Sequence, residues 1–146
     1  MSESEHHRDL VRALAEEIAS DPSWSIPPIL YCDIQDGFSG AVPPVAGLNR
    51  PDVLARDIST SRAVIGEAKT AQDIDNQHTF EQLASYFGYL RAQAEGELWM
   101  GVPWLSAGMA IRVSTLARKR TNSLGIPIRV VAFMIGATTM RRIWRE

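Results

Sequence analysis

The chain has 146 residues, 45% of them hydrophobic and 22% charged, with a formal net charge of −2. That length buries a core without covalent staples, and the composition excludes disordered and fibrous classes. A single cysteine, Cys32, excludes an internal disulfide and a cysteine-built zinc site, and it fits a reducing, cytoplasmic setting.

In chain order, the opening MSESEHHRDL is too polar for a signal peptide, and residues 1–7, with His6 and His7, read as a mobile tail. From about Arg8 to Ala19 the residues Leu10, Leu14 and Ile18, with Val11 beside them, make the apolar stripe of an amphipathic helix. At 100° per residue Glu17 falls on the edge of that stripe. Asp21-Pro22 ends the helix. Residues 29–34 read as a strand, and a Gly- and Pro-rich loop follows over 36–49. Two β-forming runs, 53–58 and 63–68, flank Ser59-Thr60-Ser61 as a hairpin. The period turns helical over 76–94, with Phe80, Leu83, Phe87 and Leu90 on one face. Residues 98–102 read as a strand, 104–120 as a helix ending in basic residues, and 126–135 as a last core strand. The longest apolar run, 98–111, is too short to span a membrane and holds Pro103, so no membrane partner is expected. The order α-β-β-β-α-β-α-β predicts one domain over 1–146, a mixed sheet with helices on its faces.

Charge is unevenly spread. Residues 1–102 carry 16 acids against seven Lys or Arg, and residues 103–146 carry eight basic residues against one acid. The basic set is Arg112, Arg118, Lys119, Arg120, Arg129, Arg141, Arg142 and Arg145. Such asymmetry suggests a polyanion-facing surface beside a cation-binding one, and solvated helix faces are the plainer reading.

The chemistry-bearing residues gather at the ends of the hairpin strands. Asp52 opens the first strand and Glu67 closes the second, so antiparallel pairing brings both carboxylates to one rim. Two ionised carboxylates at that spacing need a proton or a cation between them, and an all-oxygen pair suits Mg²⁺, with Mn²⁺ as a substitute. Glu67 and Lys69, two apart on a strand, share a face, where the ammonium can orient a water or meet a phosphoryl oxygen.

Pro51-Asp52, fourteen residues, then Glu67-Ala68-Lys69 resembles the PD-(D/E)xK nuclease superfamily. Gln82-Leu83-Ala84-Ser85-Tyr86 is similar to the Q-x-x-x-Y motif of its RecB-like branch, which includes type I restriction nuclease domains. The resemblance covers about residues 8–102. It implies a restriction-endonuclease-like α-β-β-β-α-β core, here with an extra C-terminal helix and strand. It also implies that Asp52, Glu67 and the Ala68 carbonyl hold the metal, with Glu17 from the first helix as a further ligand. Lys69 would then orient the attacking water, and Gln82 and Tyr86 would position the lysine or the DNA backbone. The expected activity is Mg²⁺-dependent hydrolysis of DNA phosphodiesters by a homodimer or within a larger nucleic-acid-processing complex. A catalytically inactive DNA- or protein-binding module is the alternative, as is an RNA-directed or accessory nuclease of a defence or mobile-element system.

Plainer readings compete at each position. Gln82 would close a capping box with Thr79 if the helix began there. Tyr86 would be a core aromatic, Glu17 and His78 solvated polar residues, and Trp99, Trp104 and Trp144 packing rather than base-stacking groups. Gly37-Phe38-Ser39-Gly40 fails the nucleophile-elbow pattern because residue 41 is Ala, and no G-x-x-x-x-G-K loop is present.

Overall fold

The computed structural model describes residues 3–33, 42–45 and 49–146. The Gly- and Pro-rich stretch expected over 36–49 therefore lies largely outside the described residues, as does Gly37-Phe38-Ser39-Gly40.

The elements are α1 (Glu3–Ala19), β1 (Ile29–Cys32), β2 (Val53–Asp57), β3 (Arg62–Ala68), α2 (Gln77–Arg91), β4 (Glu95–Pro103), α3 (Ala107–Arg120), β5 (Ile128–Met134) and β6 (Met140–Arg145), with short 3₁₀ turns at 71–73 and 104–106. The six strands form one sheet in sequence order, β1 to β6. The pairs β1–β2, β2–β3 and β5–β6 are antiparallel, and β3, β4 and β5 run parallel. The class is α/β with a mixed sheet and helices on both faces, as the element order predicts. Among the described residues no helix is long and apolar enough to cross a membrane.

Alternation along the strands divides the core in two. Leu54, Ile65, Leu98, Met100 and Val130 face α2 and α3, whereas Val53, Val64, Trp99 and Val131 face α1 through Leu10, Leu14 and Ile18. Both faces being covered, the central strands read as continuous apolar runs rather than as alternating ones.

Three boundaries differ from the sequence reading. Helix α1 begins at Glu3, so His6 and His7 belong to its first turns and not to a tail. Asn76 caps α2, its side chain accepting the Thr79 N–H at 2.8 Å, so Thr79 stands inside the first turn and the capping box with Gln82 does not form. Residues 140–145, dense in arginine, form the edge strand β6, whose charge does not read as a strand but suits an edge that must not pair further. At the other end of α3, Asn122 takes a left-handed φ of 55°. Its N–H bonds the Lys119 carbonyl and the Ser123 N–H bonds that of Arg118, a Schellman stop for the helix.

Candidate active site

The hairpin register decides where the carboxylates meet. Val53 pairs with Gly66, so Asp52, one residue before β2, stands opposite Glu67. Each carboxylate accepts a backbone N–H from the facing strand end. The Asp52 N–H donates to Glu67 Oε2 at 3.3 Å, and the Ala68 N–H donates to Asp52 Oδ2 at 2.9 Å. On the outer side, the Asp33 N–H bonds the Asp52 carbonyl at 2.8 Å and ties the same residue to the end of β1. Both carboxylates are buried, Asp52 8% and Glu67 3% exposed.

Lys69 bridges this pair to α2. Its Nζ lies 3.3 Å from Glu67 Oε1 and donates to Gln82 Oε1 at 2.7 Å. The N-cap at Asn76 is what frees Gln82 for this contact. Gln82 stands one helical turn before Tyr86, whose fully buried hydroxyl sits by Glu67 without a hydrogen bond of proper geometry among the described residues. Burial first, then the charges of Glu67 and Asp52, hold that phenol protonated well above its ordinary range.

Burial likewise raises Glu67, to about 8, and the like charge of Asp52 adds to the rise while Lys69 opposes it. A carboxylate so placed is short of positive charge, and Lys69 alone does not supply enough.

The site has one member that the sequence reading misses. His7, on the second turn of α1, places Nε2 3.1 Å from the Ala68 carbonyl oxygen and 3.4 Å from Asp52 Oδ2. Its contact with Asp52 is the main reason its pKa is raised, and the Ala68 carbonyl and the Glu67 charge add to the rise against a burial that lowers it. The sequence carried the signal: His7 precedes Leu14 by seven residues and Val11 by four, on the buried stripe of α1.

Glu17 does not join this group. Both its oxygens are held by Arg141 Nε of β6, at 2.9 and 2.8 Å. Ten residues beyond His7, it stands about 15 Å further along the helix axis. Helical phase gave its face correctly but carries no information about height along the helix. His78 is exposed at the start of α2, away from these contacts.

Asp52, Glu67, the Ala68 carbonyl and His7 Nε2 thus converge at the end of β3. The donor set fits a hard divalent ion, because two carboxylates and a carbonyl oxygen surround a place where negative charge is buried in excess. Among the described residues no three His, Cys, Asp or Glu side chains enclose a common point. An ion of the Mg²⁺ kind needs no such cage, since it takes one or two carboxylates and keeps several waters.

No family model and no curated protein matches the chain.

Proposed function

We propose that the protein is a metal-dependent nuclease that hydrolyses DNA phosphodiester bonds at the end of β3. The observation that carries this reading is the bridge made by Lys69, which joins Glu67 at 3.3 Å to Gln82 at 2.7 Å beside the buried Asp52. An ammonium held at that point by two acceptors is fixed in place yet retains a third N–H for a water or a phosphate oxygen.

Asp52, Glu67, the Ala68 carbonyl and His7 would hold Mg²⁺, or Mn²⁺ in its place. Such an ion neutralises phosphate charge and makes a water a better nucleophile at neutral pH. Lys69 orients the attacking water, and Gln82 fixes Lys69. Tyr86, its proton held firmly, packs behind Glu67. The contact with Asp52 raises the pKa of His7, so a proton and a cation would compete for the same ring nitrogen.

The test is cleavage of circular duplex, linear duplex and single-stranded DNA in Mg²⁺ and in Mn²⁺, comparing the wild type with Asp52→Asn and Lys69→Ala. Removing either group is expected to lower the rate by at least ~100-fold with the fold retained, as for loss of a positioned charge at a reacting centre. Wild-type inactivity on every substrate, or full activity in both variants, would sink the reading.

A further inference from the structure

Four of the eight basic residues of the last third are already engaged within the fold. Arg129 is spent on Asp21 and on Glu97 at 3.3 Å, and Arg112 on Asp75 at 2.6 Å. Arg141 is spent on Glu17. Arg118 is anchored to the carbonyls of Ile126 and Glu146 at the start of β5, the far end of the parallel strands from the carboxylates.

Arg142 differs from these four. It is exposed, and among the described residues no carboxylate pairs with it. Its guanidinium instead lies 5.4 Å from the ring centre of Trp104 and 5.8 Å from that of Trp144. Both indoles are only half-buried, and Leu105, next to Trp104, is 94% exposed.

Strand register relates this cluster to the carboxylates. Arg142 pairs with Ala132, and Ala132 with Val102. The Lys69 N–H bonds the Gly101 carbonyl at 3.0 Å and extends the β3–β4 ladder, so Val102 stands opposite Lys69. Lys69, Val102, Ala132 and Arg142 therefore share one row and one face of the sheet. Three strand spacings separate the ends of that row, about 14 Å, which is the reach of a few nucleotides. Trp104, directly after the last residue of β4, stands at this same end of the sheet.

A planar cation without a counter-ion, set against two indoles, is matched by a phosphate for its charge and by a base for its ring faces. Paired bases inside a duplex do not offer those faces to a side chain. We propose that Trp104, Arg142 and Trp144 form a subsite for an unpaired nucleotide of a single DNA strand, a few nucleotides from the phosphate that is cut at Glu67 and Lys69. The inference deepens the nuclease reading and names single-stranded DNA as its substrate. With 17 acids in the chain against 15 Lys and Arg, and with Arg112, Arg129 and Arg141 of the basic third already paired, a broad electrostatic grip on duplex DNA is poorly supplied, whereas stacking at one subsite is not.

The experiment is fluorescence anisotropy of a labelled oligothymidylate and of a blunt duplex of equal length. EDTA is present throughout, so that binding is read without cleavage. Wild type is compared with Arg142→Ala, Trp104→Ala, Trp104→Phe and Arg142→Lys. The wild type is expected to prefer the single strand, and Arg142→Ala and Trp104→Ala each to weaken that binding about ten-fold. Duplex binding should change by less than about two-fold, because phosphate contact alone carries it. Arg142→Ala should also lower the salt slope by about one. Trp104→Phe, which keeps a ring, should restore most of the affinity, and Arg142→Lys little of it, because an ammonium keeps the charge but does not stack. Single-strand affinity unchanged in both alanine variants, equal losses for duplex and single strand, or a wild type that prefers duplex would each overturn the subsite. Loss of selective binding in these variants, together with a wild type that cuts nothing in Mg²⁺, would leave the subsite standing and remove the nuclease reading. Unchanged binding beside cleavage that Asp52→Asn abolishes would do the reverse.

Discussion

At the scale of single residues the site is set by burial working against charge. Glu67 has a folded pKa of about 8, above the ordinary carboxylate value of 4.5, because desolvation and Asp52 outweigh Lys69. A group raised in this way contributes stability that is whole below pH 4.5 and is lost as pH climbs through about 8. His7, also raised, acts in the same direction above its ordinary 6.5. The metal-free protein should therefore lose thermal stability from pH 5 to pH 8 in EDTA, and saturating Mg²⁺ should flatten that slope because the ion takes the place of the protons. Calorimetric titration in buffers of different ionisation enthalpy should show proton release on Mg²⁺ binding near pH 7. Glu67→Gln should remove most of that release, and a variant that releases as much as the wild type would refute the assignment of the proton to Glu67. His7→Ala should weaken Mg²⁺ binding measurably while leaving the Lys69–Gln82 contact intact, a change that the same calorimetry reads.

At the scale of elements the placement of His7 depends on how closely α1 approaches the sheet. A Cβ added to Gly66 in β3 would meet Ile18 Cδ1 at 2.8 Å, Val53 Cβ at 3.1 Å and Leu14 Cδ2 at 3.2 Å. The glycine thus allows the apolar stripe of α1 to settle onto β3, which brings the first turns of the helix to the Ala68 carbonyl. Gly66→Ala is expected to cost about 1–3 kcal/mol of stability by overpacking, read as a lower denaturant midpoint, and to lower Mg²⁺ affinity by displacing His7. A destabilised variant with unchanged metal affinity would break that link. The same logic applies at Gly96, where an added Cβ would meet the Leu90 carbonyl oxygen at 2.5 Å, so the entry to β4 tolerates no side chain under the end of α2.

At the scale of the whole molecule an ion-pair network closes the end of the sheet opposite the carboxylates. Arg129 of β5 lies over the Trp99 ring at 4.0 Å and binds Asp21, beyond α1, and Glu97 of β4 at 3.3 Å. Arg62 of β3 joins Glu97 at 3.6 Å and lies over Trp24 at 3.9 Å. Burial alone would raise Asp21, but hydrogen bonds from Ser23 and the Arg129 charge more than offset it and hold its pKa low. That contribution is present at neutral pH and is lost as pH falls through the depressed value. One arginine thus ties the segment after α1 to the two central parallel strands. Arg129→Ala should cost roughly 1–3 kcal/mol, because it leaves the half-buried Asp21 without its counter-charge and Glu97 with Arg62 alone. Arg129→Met should cost less than the alanine variant, since it keeps the packing against Trp99. Chemical denaturation of both variants at pH 7 checks the order, and equal losses would show that charge and not packing is what the arginine supplies.

The alternation of β2 and β3, the helical periods of α1 and α2, and the offset between Asp52 and Glu67 are local properties, so the sequence alone determined the element order up to β5, but not β6, and the pairing of those carboxylates. The contact of Lys69 with Gln82 was only half legible, because the side chain at Asn76 had to win the N-cap before Gln82 was released. His7 and Glu17 mark the limit. Both lie on or beside the buried stripe of α1, and angular phase cannot tell which of two turns about 15 Å apart reaches the end of β3. Only the packing of α1 across the sheet decided for His7 and gave Glu17 to Arg141. The basic third of the chain tells the same story at long range. Composition shows eight positive charges but not their partners, and the tertiary structure pairs Arg112, Arg129 and Arg141 with carboxylates and leaves Arg142 in the row of Lys69, because strand register is fixed by contacts between residues far apart in sequence.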